Sequence, residues 1–196
     1  ALAGTTPIDL GTVVAKAALE RSNVDPAQIG NVIMGQVINT EPRDMYLSRV
    51  TAMQAGVPDV VPAMNVNRLC GSGVQAIISG AQSLMLGDAD FALVGGAENM
   101  SRSPYIVPSQ RWGAKMGDIQ TLDMMLGALN CPFGTGHMGV TAENVAREHG
   151  ISRADQDAFA LQSQERAAAA IAARLFESQI APVQVRVKRD MGDFLR

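Results

Sequence analysis

The chain has 196 residues, enough for one sizeable domain with its own core. Hydrophobic residues make up 47% and charged residues 18%, the balance of a soluble globular protein. A net charge of −3 leaves no basic footprint for nucleic acid, and no run approaches the ~18 apolar residues of a membrane span. In chain order, residues 1–4 show neither strand nor cap. Thr6-Pro7-Ile8-Asp9 reads as a helix entry, with Thr6 as N-cap, Pro7 at the first helical position and Asp9 at the positive end. Leu10, Val14, Ala17 and Ala18 then give a buried stripe at helical spacing. Residues 31–38 form a strand too apolar for a surface edge. A second helix spans residues 44–54, with Gly56 just beyond its end.

A strand over residues 63–67 runs into a helix over residues 70–86 whose apolar side chains point in all directions, as in a helix packed on more than one side. The strand over residues 91–94, closed by Gly95-Gly96, completes a βαβ unit, which predicts a mostly parallel α/β sheet. Residues 101–139 are rich in Gly, Pro, Met and Ser and read mostly as loop, with a helix over residues 122–129. A helix follows Met138, with His149 as its C-terminal cap and Gly150 as its stop. Ser152 and Asp155 form a capping-box variant that opens a helix to about Arg174. Val183, Val185 and Val187 alternate with polar residues as a half-exposed strand, and residues 190–196 stop without an ending.

The chemistry centres on Cys70. A thiolate is a nucleophile, and the N–H groups at a helix N-terminus stabilise both that anion and an oxyanion formed beside it. Gly71 and Gly73 let a substrate approach the backbone. The alternative is a buried structural cysteine. Gly71-x-Gly73-x-x-Ala76 imitates a dinucleotide fingerprint, but Gly95-Gly96 stands where that fold needs an acidic residue, and Arg68 replaces the glycine of a hydrolase elbow. Glu98 follows a strand, where α/β sheets bind ligands, and is either a turn residue, solvated or paired with a nearby base, or a buried acceptor that fixes loops around the site. His137 lies in a glycine-rich loop before a helix and is either a ligand contact or a surface histidine. Cys131 has no base nearby in sequence and reads as structural. No Cys/His spacing fits a metal. With two cysteines, no disulfide framework and no signal-peptide pattern at the start, a reducing cytoplasm is the expected location.

Three segments carry a resemblance to a known family: Asn67-Arg68-Leu69-Cys70-Gly71-Ser72-Gly73, Gly95-Gly96-Ala97-Glu98-Asn99-Met100-Ser101, and His137-Met138-Gly139-Val140-Thr141-Ala142-Glu143-Asn144. In this order the chain resembles the N-terminal half of thiolases, the acetyl-CoA acetyltransferase and β-ketothiolase enzymes. Residues 40–46 and 111–117 are similar to bacterial β-ketothiolases that handle short acyl chains. The resemblance implies the layered α/β/α/β/α fold of two similar halves. Residues 1–100 would be an N-terminal α/β domain lacking its first strand, and residues 101–196 a truncated inserted loop domain. It implies Cys70 as the residue that carries the acyl group, its N–H as part of an oxyanion hole, and Leu129, His137 and Met138 along the pantetheine and CoA path. Acyl-CoA and CoA would be substrates rather than resident cofactors. The strand over residues 63–67 would pair with its counterpart in a homodimer or homotetramer.

Family chains are about twice this length, and their second half supplies an activating histidine, an acid/base cysteine and an oxyanion-hole asparagine. The expectation is therefore a fragment, or the ordered part of a longer protein, inactive on its own. A non-catalytic CoA-binding or assembly module is the alternative.

Overall fold

The computed structural model describes residues 2–185. They fall into two compact units, one of residues up to Met125 joined by the described residues from Pro182, the other Leu126–Ala181. The first unit is built on three parallel strands: β1 (Ile29–Gly35), β2 (Ala63–Val66) and β3 (Phe91–Gly96). Their order is β2-β1-β3, with Val32 opposite both Ala63 and Leu93. The strand that comes first in sequence is thus the middle one, and the crossover from β2 to β3 passes over it. The expected parallel α/β sheet is present. The first strand begins and ends earlier than the apolar run suggests: Gln36 still donates its N–H to the Val66 carbonyl at 3.1 Å, but Val37 and Ile38 turn their N–H groups to the Glu98 carboxylate.

Strand alternation separates two faces. Val32, Met34 and Leu93 face helices α1 (Pro7–Ser22) and α2 (Leu47–Gln54), forming the main core with Ile8, Leu19 and Leu47. The opposite face carries α3 (Ser72–Leu86). Thr6 caps α1 in a full capping box with Asp9, as its sequence predicts. The buried stripe of α1 differs from the expectation. Ile8, Gly11, Ala15 and Leu19 are inside, whereas Val14 and Ala18 are exposed. The reason is Gly11, which brings α1 so close to α2 that a Cβ there would lie 3.0 Å from the Thr51 hydroxyl. Side-chain hydrophobicity cannot signal such a contact. The predicted helix over residues 44–54 begins as a 3-10 turn, Pro42–Tyr46, and becomes α-helical at Leu47.

Helix α3 inverts the usual arrangement of large residues inside. It turns Ser72, Ala76, Gly80 and Ser83 to the sheet and leaves Val74, Ile77 and Met85 exposed. Small residues let it come close. A Cβ on Gly80 would fall on a Val94 methyl, and one on Gly35 would sit 2.7 Å from the Ser72 carbonyl carbon. Asn31 Nδ2 donates to Ser83 Oγ at 3.1 Å. Against the expectation that nothing reaches membrane length, Leu69–Leu86 is long and apolar enough to cross a bilayer by length and composition alone. Its polar contacts to the sheet, and the open sheet edge beside it, are those of a helix covering a sheet.

The stretch expected to be mostly loop holds short pairings: β4 (Tyr105–Ile106) with β5 (Leu122–Asp123), then α4 (Met124–Ala128) where the helix over residues 122–129 is predicted. In the second unit β6 (Asn130–Cys131) pairs with β7 (Gly136–His137). Helices α5 (Met138–Glu148) and α6 (Arg153–Ala172) follow, with His149 capping α5 as expected. Residues 183–185, expected in a strand, are irregular, and the rest of that predicted strand and the closing residues 190–196 lie outside the described residues.

This packing has two measurable consequences. Gly35→Ala forces α3 off β1 and lowers unfolding stability by about 1–3 kcal/mol in urea titration, the usual range for overpacking. At the start of α6, the Ser152 hydroxyl and N–H hold the Asp155 carboxyl below its ordinary value. A depressed carboxyl contributes stability above the ordinary carboxylate range and loses it as pH falls through the folded-state value. Ser152→Ala therefore raises the Asp155 value in an NMR titration and shrinks the acid-sensitive part of the stability.

Candidate active site

The carboxyl ends of β1, β2 and β3 come together with the N-terminus of α3, all within the first unit. Cys70 lies there, exposed, with a free thiol. It is not the first residue of α3, as expected from sequence. Gly71 is the N-cap and the helix starts at Ser72, so Cys70 sits one residue ahead of the cap. Among the described residues the N–H groups of Gly73 and Val74 have no partner. They leave the positive helix end open beside the thiol.

The turn that carries Cys70 is built from side-chain hydrogen bonds. Leu69 adopts a left-handed backbone with φ 49°. Its N–H donates to Asn67 Oδ1 at 3.0 Å. Ser72 Oγ accepts the Arg68 N–H at 2.9 Å and donates to the Leu69 carbonyl at 2.6 Å. Arg68 also donates to Gln75 Oε1, one turn into α3. A leucine in the left-handed region costs about 1–2 kcal/mol, and one such hydrogen bond returns about 0.5–1.5 kcal/mol net. The two magnitudes are comparable, so the conformation depends on these bonds being made.

The neighbouring strand ends are tied together by Glu98. Its two carboxylate oxygens accept the N–H groups of Val37 at 2.7 Å and Ile38 at 3.1 Å. Of the two readings left open for this residue, the structure shows the acceptor that fixes a loop. Glu98 is exposed, not buried as that reading expects, because its carboxylate caps the sheet end from the solvent side. The Val37 carbonyl accepts from Asn67 Nδ2 at 3.2 Å. Asn99, buried beside Glu98, donates to the carbonyls of Leu2 and Thr5 at 2.9 and 2.7 Å. Asn65, the other polar residue near the end of β2, accepts the Ser48 N–H at 2.8 Å and so holds the start of α2.

In the second unit, Leu129, His137 and Met138 are brought together. The Met138 N–H donates to the Leu129 carbonyl at 2.8 Å, and His137 pairs with Asn130 across β6 and β7. His137 is the N-cap of α5, its Nδ1 accepting the Gly139 N–H at 3.0 Å. This is a structural task, and it leaves Nε2 as the ring's donor in the neutral form. Leu129 is half-buried, and His137 and Met138 are exposed. Cys131, expected to be structural, is half-exposed. Its thiol is held below the ordinary thiol range, first by the Thr135 hydroxyl and then by backbone groups of Phe133 and Thr135. Among the described residues no group of three or more His, Cys, Asp or Glu side chains is placed to hold a metal ion.

The sequence matches the family model described as thiolase, N-terminal domain, over residues 1–195. The chain belongs to the thiolase family. It is 58% identical over 182 residues to beta-ketothiolase BktB of Cupriavidus necator, covering 93% of this chain and 46% of that protein. It is 41% identical over 185 residues to the human mitochondrial 3-ketoacyl-CoA thiolase, covering 94% of this chain and 47% of that one. The crystal structure of Bacillus anthracis acetyl-CoA acetyltransferase superposes with a TM-score of 0.90 at 35% identity, over 97% of this chain and 48% of that chain. The human mitochondrial thiolase in complex with CoA superposes at 0.89. The fold here is thus part of a thiolase fold, and the chain spans about half the length of the curated relatives it matches.

Cys70 stands out in the sequence, but the means by which this thiolase-family turn is held do not. Asn67 stands three residues before Cys70, and its spacing of two from Leu69 is the signature of a side chain that accepts from the backbone two residues on. Nothing in the sequence marks Leu69 as left-handed.

The thiol of Cys131 supplies a pH prediction. Thr135→Val removes the hydroxyl that stabilises the thiolate, so the Cys131 value rises and less thiolate is present at neutral pH. In a Cys70→Ala background, alkylation of Cys131 by iodoacetamide is expected to slow and its pH profile to move upward. An unchanged profile would refute the role assigned to the Thr135 hydroxyl.

Proposed function

We propose that the whole protein is an acyl-CoA C-acyltransferase of the thiolase type, with Cys70 as the acyl carrier. The observation that carries the reading is a free, exposed thiol held on a left-handed turn where three parallel strands end and a helix begins. In the first step Cys70 Sγ attacks the carbonyl carbon of an acyl-CoA. The C–S bond to CoA breaks, and CoA leaves as its thiol. In the second, an acyl-CoA deprotonated at its α-carbon attacks the Cys70 thioester. A C–C bond forms, Cys70 is released, and the product is a β-ketoacyl-CoA. Thiolytic cleavage is the reverse, and either direction is a reaction of fatty acid metabolism.

In this reading the Cys70 N–H helps to hold the oxyanion, and the open end of α3 supplies a favourable field around it. Leu129, His137 and Met138 line the path of pantetheine and CoA. The thioesters are substrates, so no resident cofactor is required. The human mitochondrial relative was crystallised in complex with CoA, which supports CoA as a ligand here. Strand β2 lies at the sheet edge, where a second copy would pair to make a homodimer or homotetramer. Both cysteines are free thiols, which suits the cytoplasm.

Mass spectrometry of the full-length protein after exposure to acetyl-CoA tests the proposal. An acetyl adduct is expected on the peptide containing Cys70, absent in Cys70→Ala and retained in Cys131→Ser. An adduct confined to Cys131, or none at all, would refute it.

A further inference from the structure

The acyl-transfer reading gives Cys70 a role but does not account for the backbone that presents it. Leu69 precedes Cys70 directly, so its left-handed conformation sets where the Cys70 Cα–Cβ bond points. Two side chains grip that residue. Ser72 Oγ takes its carbonyl, and Asn67 Oδ1 takes its N–H. Asn67 is itself anchored at the other end of its amide, to the Val37 carbonyl, on the loop whose N–H groups Glu98 binds. A continuous chain of hydrogen bonds therefore runs from the end of β3, across the end of β1, to the Cys70 turn at the end of β2.

We infer that Asn67 is a positioning residue for the Cys70 thiol, acting by holding Leu69 in the left-handed region and tying that turn to the Glu98-bound loop. Its importance for turnover rests on the acyl-transfer reading. An amide is the side chain that suits the place. It offers an acceptor to Leu69 and a donor to Val37 at once. Aspartate would lose the donor and set a negative charge near a thiolate, and serine, with one hydroxyl on a shorter side chain, lacks the two separate polar atoms that reach Leu69 and Val37. The requirement lies in the Leu69 backbone and not in any contact of Asn67 with substrate. Glycine at position 69, free to take positive φ, then relieves it.

The test uses the full-length protein in a Cys131→Ser background, with two readouts: steady-state kinetics with acyl-CoA, and the rate at which iodoacetamide alkylates Cys70. Asn67→Ala is expected to lower kcat about tenfold or more while KM stays within about twofold, and to slow alkylation in step. Leu69→Gly added to Asn67→Ala is expected to restore most of both rates. Leu69→Ile alone, with a β-branched side chain that resists positive φ, is expected to slow both. A folded Asn67→Ala at wild-type rates overturns the inference, as does one that Leu69→Gly does not rescue. Should Asn67→Ala fail to fold, a folded Leu69→Ile at wild-type rates overturns it equally. The functional reading fails separately. If wild type forms no acyl-enzyme, the alkylation series still decides the role of Asn67.

Discussion

Helix α3 can lie where it does because the residues between it and the sheet are nearly devoid of side chain. Gly35 on β1 and Gly80 on the helix each stand where a Cβ would collide with backbone or with Val94. Ser72, Ala76 and Ser83 fill what remains. That close approach fixes the N-terminus of α3 against the end of β1. The Cys70 turn has to bridge a short gap from β2, and a left-handed residue is how it does so. The glycines, the strained leucine and the exposed thiol are one constraint seen at three points along the chain.

Local strain of this size survives only where the surroundings over-determine it. Here they do so with polar side chains rather than apolar packing. Leu69 is exposed, so burial contributes little to holding it. Asn67 and Ser72 act on its two ends, and the carboxylate of Glu98 organises the loop that Asn67 leans on. The arrangement suits an exposed thiol. A turn held by hydrogen bonds keeps its shape while leaving the thiol open to solvent and to a ligand.

Much of this was legible in the sequence. Thr6 with Asp9, and Ser152 with Asp155, announce helix starts through hydrogen bonds made within four residues, and both are found. The three parallel strands show as short apolar runs ended by turns. Failures occur where the deciding partner is distant. The buried face of α1 is set by Gly11 against Thr51, forty positions away, and periodicity therefore picked out Val14 and Ala18 instead. The end of β1 is set by Glu98, which draws Val37 and Ile38 out of the strand although both are good strand formers. The candidate site divides in the same way. Cys70 was visible from its glycines and its place before a helix. The Asn67–Val37 link, between side chain and backbone thirty residues apart, leaves no mark on composition or period.

The outward face of α3 bears on how the protein behaves in a tube. Val74, Ile77 and Met85 form a ridge of large apolar side chains over a helix whose inner face is unusually plain. These 196 residues, prepared alone in water, carry that ridge uncovered. Such a preparation is expected to be sticky, to bind hydrophobic dyes and to be lost to aggregation or to chromatography resins at concentrations a better-covered protein tolerates. Polar replacements on that ridge offer a way to keep these residues in solution without touching the glycine-lined side that holds the Cys70 turn.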